Sequence, residues 1–212
     1  MVTRFLLIRH GQTEWNRGAE RFRGHADLPL NETGLAQAQQ IAARLANEKI
    51  AALYSSPLQR ARQTAQPLAD ARHLEIQKHD GLLDINFGAL EGMTIEEARH
   101  AFPEVIEKWV AAPGHVKFPK GDSFKTMRTR IEAMLDELAA KHAGETVALV
   151  SHKIVCGAML CVVLGLSADA FWRIQQDNAC INAFEKRDAG WVVTLMNETS
   201  HLIQPANHAN LR

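Results

Sequence analysis

Phe5-Leu6-Leu7-Ile8-Arg9-His10-Gly11-Gln12-Thr13-Glu14-Trp15-Asn16 is the stretch whose reading decides the fold. Its apolar run reads as a buried strand, and the run stops abruptly at Arg9, His10 and Gly11. In open α/β sheets ligands sit just beyond the carboxyl ends of strands, so a site is expected at this junction. Gly11 lets the backbone turn sharply and approach a bound group closely. Arg9 carries a permanent planar charge suited to a phosphate or a carboxylate. His10 is a nucleophile or base that is largely neutral near pH 7. Alone, such a triplet also fits a structural or surface histidine, so the rest of the chain has to supply the weight.

Outward from that strand, Arg17 to Leu30 is polar and aperiodic and reads as a loop. Asn31 offers an N-cap, with Leu35, Ala38, Ile41, Ala42 and Leu45 recurring at helical spacing behind it. Ala51 to Tyr54 is a short second strand running into Ser55-Ser56-Pro57, where Ser56 can cap and Pro57 can take the first helical position. Leu58, Ala61, Ala65 and Leu68 give that helix its buried stripe, and Leu74 to Gln77 is a third strand. Gly81 to Thr94 is a second unusual loop. Thr94 to Lys120 holds one or two short helices, and with Trp109, His115, Lys117, Phe118 and Lys120 the segment 93–120 looks more like a lid than a core element. Asp122 or Ser123 starts a strong helix bearing Met127, Ile131, Met134, Leu135 and Leu138 on one face, and Gly144 ends it. Thr146 to Val150 is a β-branched strand ending in Ser151-His152. An apolar helix follows, then strands over Ala179–Glu185 and Trp191–Met196 around an Asp188-Ala189-Gly190 turn, then a polar, peripheral tail from Ser200.

At 212 residues, 46% hydrophobic and 23% charged, the chain has ordinary globular composition, and 1–212 is expected to be a single α/β domain. Lys plus Arg equals Asp plus Glu at 24 each, so nothing points to nucleic acid or an anionic membrane and any anion site must be local. Arg4, Arg9 and His10 interrupt the one N-terminal apolar run, which argues against a signal peptide. Ile154 to Leu166 is too short to span a bilayer. Cys156, Cys161 and Cys180 sit in apolar surroundings, as reduced core thiols of a cytoplasmic protein would. No Cys-x-x-Cys or His-Glu-x-x-His spacing occurs, so neither a metal nor another cofactor is expected.

Strands alternating with helices imply a mostly parallel sheet covered on both faces. The ends of strands one, two and four can then lie together, bringing Arg9 and His10, Arg60 on the first turn of a helix, and His152 to one place. With the helix starts after Ser56 and after His152 this is an anion cradle, and phosphate is the obvious guest. So much fixed positive charge could replace Mg²⁺ in phosphoryl transfer. Attack by His10 on phosphorus would pass through a phosphohistidine. Asp84, in an apolar loop, is placed to have a raised pKa and to protonate the leaving oxygen, although it could instead be a turn former capping Ile85-Asn86.

Arg9-His10-Gly11 with Thr13, Glu14 and Asn16 resembles the signature of the histidine phosphatase superfamily, in its phosphoglycerate-mutase-like branch. Ser55-Ser56-Pro57-Leu58 with Arg60-Ala61-Arg62, Phe87-Gly88 with Glu91-Gly92, Gly121-Asp122-Ser123 and Val150-Ser151-His152 are similar to that family's further blocks, in order. The resemblance implies a three-layer α/β/α sandwich in which His10 becomes phosphorylated. It also implies that Arg9, Asn16, Arg60 and His152 hold the phosphoryl group and that residue 84 donates the proton. Two departures matter. The family usually has Glu where Asp84 stands, and many phosphatases of this branch carry Gln where Arg23 stands. Arg23 is an ordinary surface arginine or a contact for a second negative group on the substrate.

The expectation is therefore a cytoplasmic, metal-independent phosphatase acting on a small phosphorylated metabolite through phospho-His10. A bisphosphoglycerate-dependent phosphoglycerate mutase is the runner-up, although the acid block lacks mutase-like surroundings and only Met93 to Lys120 is available for an insertion. A catalytically weak module binding phosphorylated ligands comes third. The particular substrate and the oligomeric state stay open at this level.

Overall fold

A computed structural model describes residues 1–202. Residues 203–212, most of the expected polar tail, lie outside the described residues. The elements in order are β1 (Thr3–Arg9), α1 (Glu32–Arg44), β2 (Ile50–Ser55), α2 (Gln59–Arg72), β3 (Ile76–Lys78), α3 (Ile95–Ala101), α4 (Pro103–Ala111), α5 (Phe124–Lys141), β4 (Thr146–Ser151), α6 (Lys153–Val163), β5 (Ile181–Arg187) and β6 (Gly190–Glu198). The six strands form one sheet in the order β3-β2-β4-β1-β5-β6. β1, β2, β3 and β4 run parallel, while β5 is antiparallel to both of its neighbours.

Side chains alternate across a strand, so each central strand feeds two cores. Phe5 and Leu7 of β1, Val147 and Leu149 of β4 and Phe184 of β5 face α5, α6 and the α4 residue Trp109. Leu6 and Ile8, Ala148 and Val150, and Ile181 face the Ile41, Ala42 and Leu45 stripe of α1 and the Ala61, Ala65 and Leu68 stripe of α2. Three layers result, with each fully buried Leu or Ile contributing about 1.5–3 kcal/mol. α6 is buried nearly all round, which explains its uniformly apolar sequence. Among the described residues, no helix is long and apolar enough to cross a membrane.

Several expectations need correction. Leu35 lies off the α1 stripe and is 47% exposed. The third strand is Ile76–Lys78, starting two residues later than its sequence suggested. Ser56 does not cap α2, which begins at Gln59 with Leu58 in the N-cap position. Trp109 and Phe118 are buried in an aromatic cluster with Phe87, Phe124 and Phe171, so this part of 93–120 is core rather than cover. Asn31 and Ser123 do cap their helices, accepting from the Gly34 and Thr126 amides.

Candidate active site

The parallel centre of the sheet places three functional strand ends side by side. Arg9 and Ser151 are register partners, and Ser55 at the end of β2 pairs with Val150, so His10, His152 and Ser56 emerge from adjacent strands. Gly11 closes the first turn. A Cβ on it would stand 2.6 Å from the carbonyl oxygen of Gly34 in α1, so no larger residue fits.

His10 is fully buried and 5.2 Å, ring to ring, from His152. Its Nδ1 lies 2.7 Å from the carbonyl oxygen of Gly11. A carbonyl can only accept, so Nδ1 carries the proton and Nε2 keeps a lone pair, buried and without a protein partner. Burial, then Arg60 and Arg9, holds the His10 pKa well below 6.5, so the ring is neutral.

His152 has the opposite tautomer. Its Nδ1 accepts from Arg60 Nε at 3.1 Å, so Nε2 carries the proton and donates to Ser56 Oγ at 2.8 Å. Ser56 therefore orients His152, and it also accepts from the Leu58 amide. Burial, then Arg60, pushes the His152 pKa well below 6.5 as well.

Arg60 is fully buried and its donors are distributed over four partners. Besides His152, it donates to the carbonyls of Ala26 and Gly24 and, at 3.1 Å, to Asp84 Oδ2. Asp84 serves two purposes, because Oδ1 accepts from the Ile85 amide as the turn former would. Burial pushes its pKa up, against the pull of Arg60 and then Arg23. Three successive carbonyls fix this loop. Leu82 accepts from Ser151 Oγ, Leu83 from the Arg130 guanidinium and Asp84 from His25 Nε2. Glu91 accepts from the His25 amide.

Arg9 donates to the Gln176 carbonyl at 2.6 Å and leaves Nε without a partner; burial, then Arg23, lowers its pKa to about 10. Gln176 is held by a reciprocal amide pair with Asn182 of β5, so β5 braces Arg9. Asn16 uses its oxygen to accept from Thr13 and from Asn178, and it lines the same cleft as Arg9. Arg23 is 7% exposed, so it is not a surface arginine. It donates to the Trp15 carbonyl and to Glu20 Oε1 at 2.8 Å. Glu20 also meets Lys153 at 3.3 Å. Lys153 and Arg23 together outweigh burial and hold the Glu20 carboxyl near 2.

The expected helix N-termini are not equivalent. At α2 the Leu58 amide is taken by Ser56 Oγ and the Gln59 amide by Asp27, so that end is already satisfied. At α6 the N-cap is His152, with no side-chain cap, and the helix start faces the site. Sequence reasoning missed Ser56 as a histidine partner, and it missed Glu20, Lys153, Arg130, Gln176 and Asn178. Only the Ser55-Ser56-Pro57 block carried a signal for any of them. Among the described residues, no group of three or more His, Cys, Asp or Glu side chains is arranged to hold a metal ion.

A neutral imidazole with an unpartnered Nε2, two buried arginines and a buried carboxyl are the components of a phosphoryl-transfer site. The chain belongs to branch 1 of the histidine phosphatase superfamily, whose family model matches residues 5–199. It is 35% identical over 201 residues to phosphoserine phosphatase 1 of Hydrogenobacter thermophilus, covering 95% of each chain. It is 34% identical over 205 residues to the Yersinia pestis protein named "Probable phosphoglycerate mutase GpmB", covering 94% of this chain and 95% of that one. A crystal structure of a mutant phosphoserine phosphatase from Entamoeba histolytica in complex with phosphoserine superposes with a TM-score of 0.86 at 29% identity, covering 95% of this chain and all (100%) of that one.

Proposed function

We propose that this protein is a metal-independent phosphatase of small phosphomonoesters in which His10 is the nucleophile and Asp84 the general acid. The observation that carries it is the buried, unprotonated and unpartnered Nε2 of His10 beside Arg9 and Arg60. Nε2 attacks phosphorus, the N–P bond forms, and the bond to the leaving oxygen breaks as that oxygen takes the Asp84 proton. The Nδ1–H bond to Gly11 stabilises the cationic phosphoimidazole. Water then attacks phosphorus, Asp84 recovers the proton, and the N–P pair returns to Nε2. Arg9, Arg60 and the Asn16 amide surround the equatorial oxygens, His152 donates to them on giving up its bond to Ser56 Oγ, and the buried Arg23 adds positive charge nearby. The site belongs to the single domain read over 1–212, and of the segment 93–120 the start of α3, with Ile95 and Glu96, borders it.

The relationship to GpmB supports a phosphoglycerate mutase as the second reading. Incubation with a panel of phosphomonoesters in excess chelator tests the first, and 3-phosphoglycerate with 2,3-bisphosphoglycerate tests the second. We expect phosphate release that survives chelation, and a phosphoenzyme that is acid-labile and absent from His10→Ala. Activity that requires added Mg²⁺ or Zn²⁺, or an unimpaired His10→Ala, would sink the mechanism. Isomerisation without net phosphate release would select the mutase.

A further inference from the structure

Two cavities, one with Arg9 in its wall and the other with Asp84, meet at the Glu20–Lys153 ion pair and Trp172, which line both. One, a lobe of about 470 Å³, is bounded by Arg9, Asn16, Gln176 and Asn178. The other, about 550 Å³, is bounded by Phe22, Phe87, Ile95, Ile154 and Trp172, with Asp84 in its wall. Nucleophile, phosphorus and leaving oxygen must lie roughly in line, so the leaving group departs on the side of the general acid. That side is the aromatic lobe.

We propose that the preferred leaving group is a bulky, uncharged alcohol carrying an aromatic or comparable apolar body, seated against Trp172 and Phe22 in the lobe that Asp84 lines. The inference rests on the phosphatase reading and names its substrate class.

Charge in the lobe points the same way. Arg21 pairs with Glu97, and Arg23 and Lys153 have only Glu20 between them, so the remaining positive charge is offset by Glu96 in the lobe wall rather than by a paired carboxylate. Glu96, at the wall, has no ion-pair partner among the described residues and would repel a leaving group bearing a carboxylate. A small acidic alcohol would thus meet a lobe with no net positive charge and would leave the aromatic walls uncovered. Trp172 is 44% exposed, yet it is not loose. Its indole N–H donates to the Trp109 carbonyl at 2.7 Å, and its ring packs edge-on against Trp109 and Phe171. An exposed indole held at one edge is a preorganised platform for an apolar ring.

The test compares kcat/KM for ethyl, benzyl and 2-naphthylmethyl phosphate, whose alkoxides are similarly basic, and for phosphoserine. From ethyl to 2-naphthylmethyl phosphate the value should rise about ten- to a hundredfold, the scale set by burying one aromatic body. Phosphoserine should stay near ethyl phosphate. Trp172→Ala should collapse the naphthylmethyl-to-ethyl ratio, and Trp172→Phe should restore part of it. Should Trp172→Ala fail to fold, Phe22→Ala and inhibition of the wild-type protein by 2-naphthylmethanol read the same lobe. A flat series, or a preference for phosphoserine, overturns the inference and leaves the phosphatase reading standing. No hydrolysis of any ester sinks both.

Discussion

Acidification from pH 7 to pH 5 should lower folding stability through two side chains, by a ceiling of about 4 kcal/mol set by the unfolded-state pKa alone. His10 and His152 are fully buried, and burial followed by the Arg60 charge holds both well below 6.5. The unfolded chain binds a proton at each as pH falls through 6.5 and the folded protein does not, so the unfolded state gains protons and stability falls with pH. Unequal protonation is worth at most about 1.36 kcal/mol per pH unit and group, so 1.5 units below 6.5 sets a ceiling of about 2 kcal/mol for each histidine. A typical domain has only about 5–15 kcal/mol in total. Asp84 works in the opposite sense, since its raised pKa contributes stability at low pH that is lost as pH rises. Comparing variants at the same two pH values cancels that contribution. Urea unfolding followed by tryptophan fluorescence, run at both pH values on wild type, His10→Gln and His152→Gln, measures the effect. Each variant should lose less stability than wild type over the interval, by up to about 2 kcal/mol. Identical losses in all three proteins would refute the assignment of two buried neutral imidazoles.

Asp84→Asn should slow alkyl phosphates by about 10²–10⁴-fold while nitrophenyl phosphate, whose leaving group needs no proton, suffers much less; equal slowing of both would reassign Asp84 to positioning the loop. Asp84→Glu, which restores the carboxyl length usual in the family, should be tolerated in the same assay. Because Asp84 must be protonated to act, kcat/KM for alkyl phosphates should decline toward alkaline pH, and that limb should vanish in Asp84→Asn. Ser56→Ala leaves the His152 Nε2 proton buried without an acceptor and should cost about 1–3 kcal/mol in denaturant unfolding; unchanged stability would count against the assigned tautomer. Gly11→Ala forces a Cβ to 2.6 Å from the Gly34 oxygen and should destabilise the fold by more than about 1 kcal/mol, read as a lowered Tm.

The strand ends were legible because the signal is local. Leu6-Leu7-Ile8 and Val147–Val150 are apolar runs that break at Arg9-His10 and Ser151-His152, and strand termini in a parallel sheet converge whatever the loops do. Partnerships across the fold were not legible. Nothing near Arg60 in sequence says that its guanidinium reaches Gly24, Asp84 and His152 together, because these contacts span 36, 24 and 92 positions. Ser56 looked like a cap because Ser-Pro usually opens a helix; the hydroxyl instead satisfies a buried imidazole, and the helix starts later with Asp27 at its first amide. Trp109 and Phe118 read as cover on composition, yet ring-on-ring packing with Phe87 takes them inside. Arg23 reads in the sequence as a surface arginine or a contact for a second anion on the substrate; it is buried, and it pairs with Glu20, three residues earlier. That pairing was within reach of the sequence. The Asp84 alternatives turned out not to be exclusive, since one oxygen caps the turn and the other meets Arg60.

The separation of His10 from His152 is fixed by the backbone. Neighbouring strands lie about 4.8 Å apart because a peptide hydrogen bond has that reach, and the two imidazoles, one residue beyond register partners on β1 and β4, sit 5.2 Å apart. The spacing of the two imidazoles is thus ruled by the sheet's own lattice constant, not by loop conformation. Loops around the cleft can be exchanged, lengthened or re-coloured for a new substrate without recalibrating the chemistry. Conversely, the spacing cannot be lost piecemeal: while the central ladder stands the two rings keep station, and heat that separates them has already melted the middle of the molecule.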